Sequence, residues 1–393
     1  MRIAMIGAER LPSRENGTDV TIKELAVRMA ALEHTVTVYN HRGVKNVGYN
    51  NINTPTKDNY DYEGVHVRTA FTIKNRLVNS PLYYYFATLK ACKSKNDVIH
   101  FFGEASGDVL QMAKKKGKKC VVTIDGLDWK RHKNGSAMAR KLKTAEKKIV
   151  QFADKIIVTS EDDAKYFKDT YNRSVVFIQN GINEPVYSPP KVIKLKYALN
   201  GEDYILYAGR ISPEKEVHTL IEAYSKSGIE APLVLAGGGD KTDNYFQTIK
   251  AFVDKFNDKT MHARRKARII MTGLAQGREL EELYGNAVMF VLPSTVEGMS
   301  IALAEAMSYG NICLVSDIPQ NNVIVSQHGF CFPASDMESL RDSMRGVISN
   351  LRDIRESDDY TKEAIGMHAI RNFRWDETVK KTLDVYKTLG IRE

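Results

Sequence analysis

The chain has 393 residues and a formal net charge of +9 at neutral pH, and 43% of its residues are hydrophobic. That length exceeds what a single hydrophobic core usually serves, so we expect two domains. The composition is typical of a globular protein, and no apolar run approaches the roughly 18 residues of a membrane-spanning helix. The four cysteines show no Cys-x-x-Cys spacing, which argues against a disulfide framework or a zinc site and indicates reduced thiols in a cytoplasmic protein.

Short apolar runs alternate with helical patterns along the first half of the sequence. The first run, Ile3–Ile6, is too short for a signal peptide and predicts a strand. Further strands are expected at Thr35–Tyr39, Val65–Thr69, Val98–Phe102, Lys119–Ile124, Lys155–Thr159 and Val175–Ile178. Helices are expected at Thr18–Leu32, Pro81–Lys93, Ser136–Phe152 and Glu161–Tyr171. Ser160 precedes the last helix and Asp163 follows three positions later, which is typical of a helix N-cap.

The alternation pauses at Gly181–Gly201, which contains three prolines and which we interpret as a linker. Strands are then expected at Tyr204–Ala208, Leu233–Ala236, Arg268–Met271, Val288–Leu292 and Ile312–Val315. Helices are expected at Glu216–Ser227, Asp243–Asn257, Arg278–Tyr284 and Ser300–Tyr309. This alternation predicts parallel sheets covered by helices. We therefore expect an α/β protein of two doubly wound, Rossmann-like lobes facing across a cleft, an N-terminal domain over residues 1–184 and a C-terminal domain over 185–374.

Ligands of doubly wound sheets bind in the loops beyond the carboxyl ends of the strands. In the second lobe four such loops are rich in glycine or charge: Gly209-Arg210 with Lys215, Gly237-Gly238-Gly239-Asp240, Thr272-Gly273-Leu274, and the segment beginning at Glu297. Arg210 and Lys215 flank a helix start, where two cations can neutralise a diphosphate without a metal ion. The alternative is an ordinary strand-to-helix turn with exposed basic side chains.

Two carboxylates, Glu297 and Glu305, lie eight positions apart. The first follows an apolar strand in a glycine-containing loop, and the second lies one turn into the next helix. The first N–H groups of a helix lack internal partners and attract phosphate, whereas carboxylates accept hydrogen bonds from hydroxyl groups. A phosphate site beside two such carboxylates suits a sugar nucleotide, whose diphosphate lies between two polyols.

The first lobe contains three further candidates. Gly17 starts a helix and can present bare N–H groups to a phosphate. Asp125 and Asp128 follow a strand, and either bind acceptor hydroxyls or cap a helix. The aromatic run Tyr83–Phe86 either contacts lipid or acceptor, or packs inside the protein, which we favour. The loop before Gly17 does not spell G-x-G-x-x-G, which argues against a dinucleotide-dependent dehydrogenase.

Positive charge is concentrated in residues 111–150, which hold 13 Lys and Arg against three Asp and Glu. Such a block suits an anionic membrane surface or an anionic acceptor, or it is simply the solvated face of a helix. Aromatic residues are not interleaved with these cations as stacking platforms for bases would require, so we do not expect nucleic acid as a partner.

In this order and spacing, the loops of the second lobe resemble the retaining glycosyltransferases of the GT-B fold, family 4. Asn180-Gly181-Ile182 resembles the junction between the lobes of that family, and the segment Gly126–Arg131 resembles a variant found in its polysaccharide-building members. The resemblance covers nearly the whole chain. It also implies that the last helix, about residues 375–393, packs back on the first domain.

The resemblance implies a hexosyltransferase that moves a hexose from a UDP- or GDP-sugar to an acceptor hydroxyl with retention, without a metal cofactor. The acceptor would be a saccharide or a lipid-linked saccharide in cell-surface polysaccharide or glycolipid synthesis. Arg210 and Lys215 would hold the donor diphosphate, Glu297 the hexose and Glu305 the ribose hydroxyls. The remaining donor contacts would come from Gly17, Gly209, Gly238, Leu274, Gly298, Met299, Ser300 and Ile301. Asp128, Trp129 and Arg131 are the candidates for binding the acceptor.

The chain departs from the family pattern where a histidine often follows the strand Lys119–Ile124, because Asp125 stands there. Asp125 therefore joins Glu297, Arg210 and Lys215 as a catalytic candidate. Two other functions stay open, a GT-B sugar-nucleotide epimerase and a non-catalytic sugar-nucleotide-binding partner of a membrane synthase. The basic block and the absence of a membrane-spanning run lead us to expect a cytoplasmic enzyme at the inner, anionic face of a membrane.

Overall fold

The computed structural model describes residues 1–14, 16–41, 59–73, 79–131, 136–239, 243–263 and 265–391. Asp240 of the glycine-rich loop and Lys133 of the basic block lie outside these ranges. The chain forms two compact units, one of Met1–Gly181 with Trp375–Glu393 and one of Ile182–Arg374. Along the chain, the boundary between the units follows Gly181, three residues before the boundary expected from the sequence.

The first unit is built on one parallel sheet. Its strands are β1 Arg2–Ile6, β2 Thr35–His41, β3 Asn59–Tyr62, β4 Val65–Ala70, β5 Val98–Phe102, β6 Lys119–Ile124, β7 Lys155–Val158 and β8 Val176–Phe177. Its helices include α1 Gly17–Ala31, α2 Asn79–Lys93, α3 Gly107–Lys115, α4 Ala137–Phe152 and α5 Glu161–Tyr171. Among the described residues the strand order is β3-β4-β2-β1-β5-β6-β7-β8, and β3 alone is antiparallel to its neighbour.

Both faces of this sheet are buried, as is usual for parallel strands. In β1, Ile3 and Met5 point into a core that includes α1, whereas Ala4 and Ile6 point into a second core with α2 to α5. Alternate residues of one short strand thus serve two layers of helices, which explains why the central strands are continuous apolar runs in the sequence.

The second unit repeats this plan. Its strands are β9 Ile205–Ala208, β10 Leu233–Ala236, β11 Ile269–Gly273, β12 Met289–Leu292, β13 Ile312–Ser316 and β14 Phe330–Phe332. Its helices are α6 Val192–Tyr197, α7 Val217–Ser227, α8 Asn244–His262, α9 Arg278–Gly285, α10 Ile301–Ser308, α11 Pro319–Val325, α12 Met337–Ser349, α13 Leu351–Glu356 and α14 Lys362–Asn372. Over the part of the unit that the structure describes, the strands pair in parallel in the order β11-β10-β9-β12-β13-β14.

The last helix, α15 Trp375–Lys387, belongs to the first unit. Its Tyr386 hydroxyl lies 2.6 Å from Nδ1 of His100 in β5, and its Thr378 hydroxyl donates to the carbonyl of Gln179 at 2.8 Å. Burial lowers the pKa of His100 to about 3, so this imidazole is neutral at physiological pH. The helix is therefore fixed to the sheet by buried polar contacts as well as by apolar packing.

The prediction of an α/β fold with parallel sheets is confirmed, and so is the packing assigned to the tyrosine run. Tyr83 and Tyr84 are buried, and their hydroxyls donate to the carbonyls of Tyr39 and Phe102. Only Tyr85 of the three tyrosines is exposed. Among the described helices, none combines the length and the apolar character needed to span a bilayer.

The interpretation of Gly181–Gly201 as a plain linker is wrong in part, because it contains α6. The buried carboxylate of Glu282 on α9 accepts hydrogen bonds from the N–H groups of Lys191, Val192 and Ile193 at 2.6–3.2 Å. These are among the N–H groups that have no partner within a helix. A side chain about 90 residues away therefore stabilises a helix that the sequence pattern did not predict.

Candidate active site

The loops that follow β9, β10 and β12 lie at one edge of the second sheet and are joined by backbone contacts. The N–H groups of Gly209 and Ile211 donate to the carbonyls of Ala236 and Gly238 at 3.0 and 2.9 Å. A Cβ atom on Gly237 would lie 1.7 Å from the Gly209 carbonyl oxygen, so only glycine permits this approach. The glycines of this edge thus let neighbouring strand-end loops pack closely.

The loop after β12 is attached to the loop after β9. Both the N–H and the hydroxyl of Thr295 donate to the carbonyl of Glu214, at 2.9 and 3.2 Å. Two residues further along, Glu297 Oε1 lies 2.5 Å from Nζ of Lys215. Only 14% of the Lys215 side chain and 6% of the Glu297 side chain are exposed. The structure thus brings together a predicted phosphate-binding cation and the predicted hexose-binding carboxylate.

Arg210 lies in the same loop but is more open to solvent. One guanidinium nitrogen is 3.2 Å from Glu214 Oε1, and 43% of the side chain is exposed. Burial raises the pKa of Glu214, but hydrogen bonding from Ser212 and the charge of Arg210 outweigh it and hold the pKa below its usual value. Arg210 is therefore held on one side by a carboxylate, with part of its guanidinium facing water.

Helix α10 begins directly after the Glu297 loop, and its N-terminus is capped. The Ser300 hydroxyl accepts a hydrogen bond from the N–H of Leu303 at 3.3 Å, which satisfies one free N–H group of the first turn. Ile301 starts the helix, and Glu305 lies one turn further on with 8% exposure. The predicted donor contacts Gly298 and Met299 are buried, whereas Gly238 and Leu274 are half-buried at the ends of β10 and β11.

The first unit has a cavity at the carboxyl edge of its own sheet. Its empty volume is about 350 Å³, part of it open to solvent. It is lined by Thr18, Thr21, Phe102, Gly103, Thr123, Asp125, Asp128, Arg131 and Asn180. These residues come from the start of α1 and from the ends of β5, β6 and β8, so four separate chain segments form one polar site.

Asp125 is held in place within this cavity. Its Oδ1 accepts a hydrogen bond of 2.7 Å from the hydroxyl of Thr159, which follows β7. A Cβ atom on Gly17 would lie 3.7 Å from Asp125 Oδ2, so the helix start and this carboxylate are neighbours. Arg131 pairs with Asp128 at 3.0 Å and donates to the carbonyl of Asp125 at 3.0 Å. The Asp128 and Arg131 side chains therefore form one charged pair beside Asp125.

Sequence analysis missed the hydroxyl and amide groups of this cavity. Thr21 donates to Gly17 O at 3.0 Å and to Asn180 Oδ1 at 3.2 Å, which links the helix start to the end of β8. Thr159 falls within a predicted strand, and its place at the end of β7 is the signal that could have identified it. Single hydroxyl residues carry no recognisable spacing, which is why the sequence did not distinguish them.

The described cations of the basic block lie in different parts of the first unit. Lys114 pairs with Asp154 at 2.7 Å and Lys118 donates to Ser94 O at 2.8 Å, in turns that precede β7 and β5. Loops that precede parallel strands lie at the edge opposite to the loops that follow them, so these lysines are remote from Asp125. Basic side chains exposed on α4 include Arg140, Lys141 and Lys147.

Two family profiles match the chain. One described as Glycosyltransferase Family 4 matches residues 15–184, and one described as Glycosyl transferases group 1 matches residues 192–365. Together they span both units.

Two relatives from Escherichia coli are similar to the chain at 25–27% identity. The chain is 27% identical over 199 residues to the O-antigen chain mannosyltransferase B of Escherichia coli, which is 49% of this chain and 48% of that protein. It is 25% identical over 330 residues to the UDP-Gal:alpha-D-GlcNAc-diphosphoundecaprenol alpha-1,3-galactosyltransferase of Escherichia coli, 77% of this chain and 78% of that protein. The chain thus matches about half the length of the first relative and about four fifths of the second.

Solved structures match over almost the full length. Sucrose-phosphate synthase from Thermosynechococcus elongatus superposes with a TM-score of 0.80 at 20% identity, over 99% of both chains. Anabaena HepE, in complex with UDP and glucose, superposes with a TM-score of 0.73 at 14% identity, over 99% of this chain and 100% of that one. The two profiles show that the chain belongs to the family 4 glycosyltransferases, and the structural matches show that it has the GT-B fold.

Proposed function

We propose that this protein transfers a hexose from a UDP- or GDP-sugar to a hydroxyl of a saccharide or lipid-linked acceptor, with retention of anomeric configuration. The observation that carries the proposal is the contact between Lys215 and Glu297, where two strand-end loops of the second unit are joined. It puts a cation suited to a diphosphate beside a carboxylate suited to sugar hydroxyls. The E. coli galactosyltransferase named for UDP-Gal and a diphosphoundecaprenol acceptor supports this substrate class.

The donor half of the reaction is governed by charge. As the glycosidic bond to the diphosphate breaks, the leaving group gains negative charge and the sugar ring becomes positively charged. Lys215 and Arg210 are fixed on one loop and would stabilise the leaving group electrostatically, without reorganising in the transition state. Glu297 would accept hydrogen bonds from the hexose and favour its developing positive charge.

The acceptor half belongs to the cavity of the first unit. Carboxylates and threonine hydroxyls are the groups that bind polyols, and the cavity has Asp125, Asp128 and three threonines. The hydrogen bond from Thr159 orients Asp125. For retention without a covalent intermediate on the protein, the acceptor hydroxyl would attack the face of the sugar from which the diphosphate departs. Its proton would go either to the departing phosphate oxygen or to Asp125.

We further propose that the protein works at the cytoplasmic, anionic surface of a membrane that holds a lipid-linked acceptor. The exposed cations of α4, Arg140, Lys141 and Lys147, support an electrostatic attachment. Binding to vesicles containing anionic lipid should weaken as salt is raised, because salt screens surface charge. Binding that is independent of salt would contradict this attachment.

The function can be tested in two steps. Thermal unfolding in the presence of a panel of UDP-, GDP- and ADP-sugars would identify the donor, because a ligand that binds the native state raises Tm. The selected donor is then incubated with polyprenyl-diphosphate-linked saccharides, and the anomeric configuration of the product is read by NMR. A transferred α-hexose from an α-linked donor is the expected result.

Two other outcomes would point to the alternative functions. Release of an altered nucleotide sugar in the absence of acceptor would identify an epimerase. Binding of a donor without turnover across the acceptor panel would favour a non-catalytic partner of a synthase.

A further inference from the structure

A buried acidic and aromatic cluster lies behind the cavity of the first unit. At its centre is Glu146 of α4, whose side chain is 0% exposed. Glu146 Oε2 accepts a hydrogen bond of 2.9 Å from the indole N–H of Trp129, and Oε1 accepts from the hydroxyls of Tyr166 and Tyr171. Three aromatic side chains from two different segments therefore converge on one carboxylate.

The charge of Glu146 is balanced inside the cluster. Lys143, one turn earlier on α4, has its ammonium nitrogen 3.1 Å from Glu146 Oε1. The same nitrogen lies 4.0 Å from the ring centroid of Trp129 and 4.5 Å from that of Tyr166, which are favourable distances for cation–π attraction. A buried carboxylate is tolerated when it is paired and hydrogen-bonded in this way.

The cluster is connected to the cavity through one short turn. Trp129 lies within the 3₁₀ turn Asp128–Arg131, and the first and last residues of that turn line the cavity as an ion pair of 3.0 Å. Arg131 also donates to the carbonyl of Asp125. Because the turn has only four residues, fixing the indole fixes the positions of Asp128 and Arg131.

We propose that Glu146 is a positioning residue for the acceptor, acting through Trp129 on the Asp128–Arg131 pair. The inference rests on the proposed function, because it takes the cavity of the first unit to bind the acceptor saccharide. Glu146 does not touch the substrate in this arrangement. Replacing Glu146 therefore weakens binding of the acceptor. It leaves binding of the nucleotide sugar, which belongs to the second unit, unchanged.

The test uses two variants that break the same link from opposite sides. Glu146→Gln removes the charge that holds Lys143, and its single amide oxygen cannot accept from both the indole and the two tyrosine hydroxyls. Trp129→Phe keeps an aromatic side chain and removes the indole N–H. Each should lower kcat/KM for the acceptor by up to about 100-fold, the scale of a small misplacement of binding groups. The KM for the nucleotide sugar should stay within about twofold. Since both break one link, the double variant should be little worse than either single variant.

Fluorescence supplies a readout that does not depend on turnover. The chain has two tryptophans, Trp129 and Trp375, so in a Trp375→Phe background Trp129 is the sole emitter. Glu146→Gln in that background should shift the emission of Trp129 to longer wavelength. Glu282→Gln is the matched control, because Glu282 is equally buried and paired with an arginine one turn away, but lies in the second unit. It should change neither the Trp129 emission nor acceptor kcat/KM.

The possible outcomes separate this inference from the proposed function. If the wild-type protein transfers sugar and both Trp129→Phe and Glu146→Gln retain normal acceptor kcat/KM, the positioning role is wrong. If the Trp129 emission is the same with Glu146 and with Gln, the link itself is absent, whatever the reaction. If Glu146→Gln fails to fold, Trp129→Phe alone decides. Absence of transfer by wild-type protein, with the emission shift present, overturns the proposed function instead.

Discussion

The buried carboxyl group of Glu104 gives a prediction that is independent of substrate. Glu104 follows β5 and is 0% exposed. Burial, followed by the negative charges of Asp128 and Glu146, raises its pKa to about 9, although Arg131 opposes the effect. The folded protein therefore keeps this carboxyl protonated at neutral pH, whereas the unfolded chain ionises it near pH 4.

The sign and size of the effect follow from proton linkage. Between about pH 5.5 and 8 the folded state binds one more proton at Glu104 than the unfolded state, so stability falls as pH rises. One proton corresponds to a slope of about 1.4 kcal/mol per pH unit. Glu104→Gln cannot take up this proton, so its free energy of unfolding relative to wild type should rise by about 3 kcal/mol over two pH units. Any fixed cost of burying the amide cancels from the slope.

The assay is urea unfolding at pH 5.5, 6.5 and 7.5, followed by tryptophan emission. Both tryptophans belong to the first unit, so the signal reports the unit that contains Glu104. Ser106→Ala in the same turn has no ionisable group and should differ from wild type by a constant amount at all three pH values. A difference between Glu104→Gln and wild type that stays flat with pH, or decreases, would refute the assignment of a neutral buried acid.

Four further predictions concern the two units. Arg210→Ala should lose roughly 2–4 kcal/mol of transition-state stabilisation, the scale of one preorganised charge donor, and near-normal kcat/KM would remove Arg210 from the donor site. Asp125→Asn keeps an acceptor for the Thr159 hydroxyl, and it should reduce turnover by about 10²–10⁴-fold if Asp125 takes the proton of the acceptor. An unchanged kcat and a flat pH–rate profile in this variant would assign that role to the donor phosphate. Glu282→Gln should lower the free energy of unfolding by about 1–3 kcal/mol and speed hydrogen exchange in residues 191–193, because three N–H groups lose an ionised acceptor. Burial raises the pKa of Glu282, but Arg278 and these N–H groups outweigh it and lower the pKa, so the stabilisation is present at neutral pH and lost in acid. Unchanged exchange in the variant would disprove this role. Turnover should persist with chelator present, since Arg210 and Lys215 supply the positive charge, and loss of activity that manganese restores would reverse that expectation.

The elements that could be predicted are those whose signal is local. The central strands are continuous apolar runs because both faces of each sheet are buried, as Ile3 to Ile6 show. Helix α5 begins at Glu161 and ends at Tyr171, as expected. The Ser160 hydroxyl accepts a hydrogen bond from the N–H of Asp163, as the capping pattern indicates. In both cases neighbouring residues alone determine the structure.

The elements that sequence analysis missed depend on distant contacts. Strand β3, Asn59–Tyr62, has no apolar run because it is an antiparallel edge strand that is half open to solvent. Helix α3, Gly107–Lys115, begins with glycine and is short, and a Cβ on Gly107 would lie 2.1 Å from the carbonyl of Ala145 on α4. The glycine at the start of α3 is therefore required by the close approach of α4, and not by a local preference for helix.

The candidate site was predictable to a similar degree. The sequence could predict that the charged and glycine-rich loops follow strands, and the structure places those after β9, β10 and β12 at one edge of the second sheet. Their role in ligand binding stays a prediction. The partners inside the site were not predictable, since Lys215 and Glu297 are 82 residues apart and Thr159 and Asp125 are 34 apart. Such pairs exist only after the sheet brings the ends of its strands together.

The pairing of Lys215 with Glu297 has a physical consequence for how a donor would bind. Each of these nearly buried charges is stabilised by the other in the free protein, so neither is left without a counter-charge. A diphosphate supplies new acceptors for the ammonium group, and the hydroxyls of a hexose supply new donors for the carboxylate. A molecule that offers only one of these groups separates the pair and leaves the other charge poorly satisfied. Under the proposed function, this pairing would therefore favour a ligand that has both a diphosphate and a polyol, which is the defining chemistry of a nucleotide sugar.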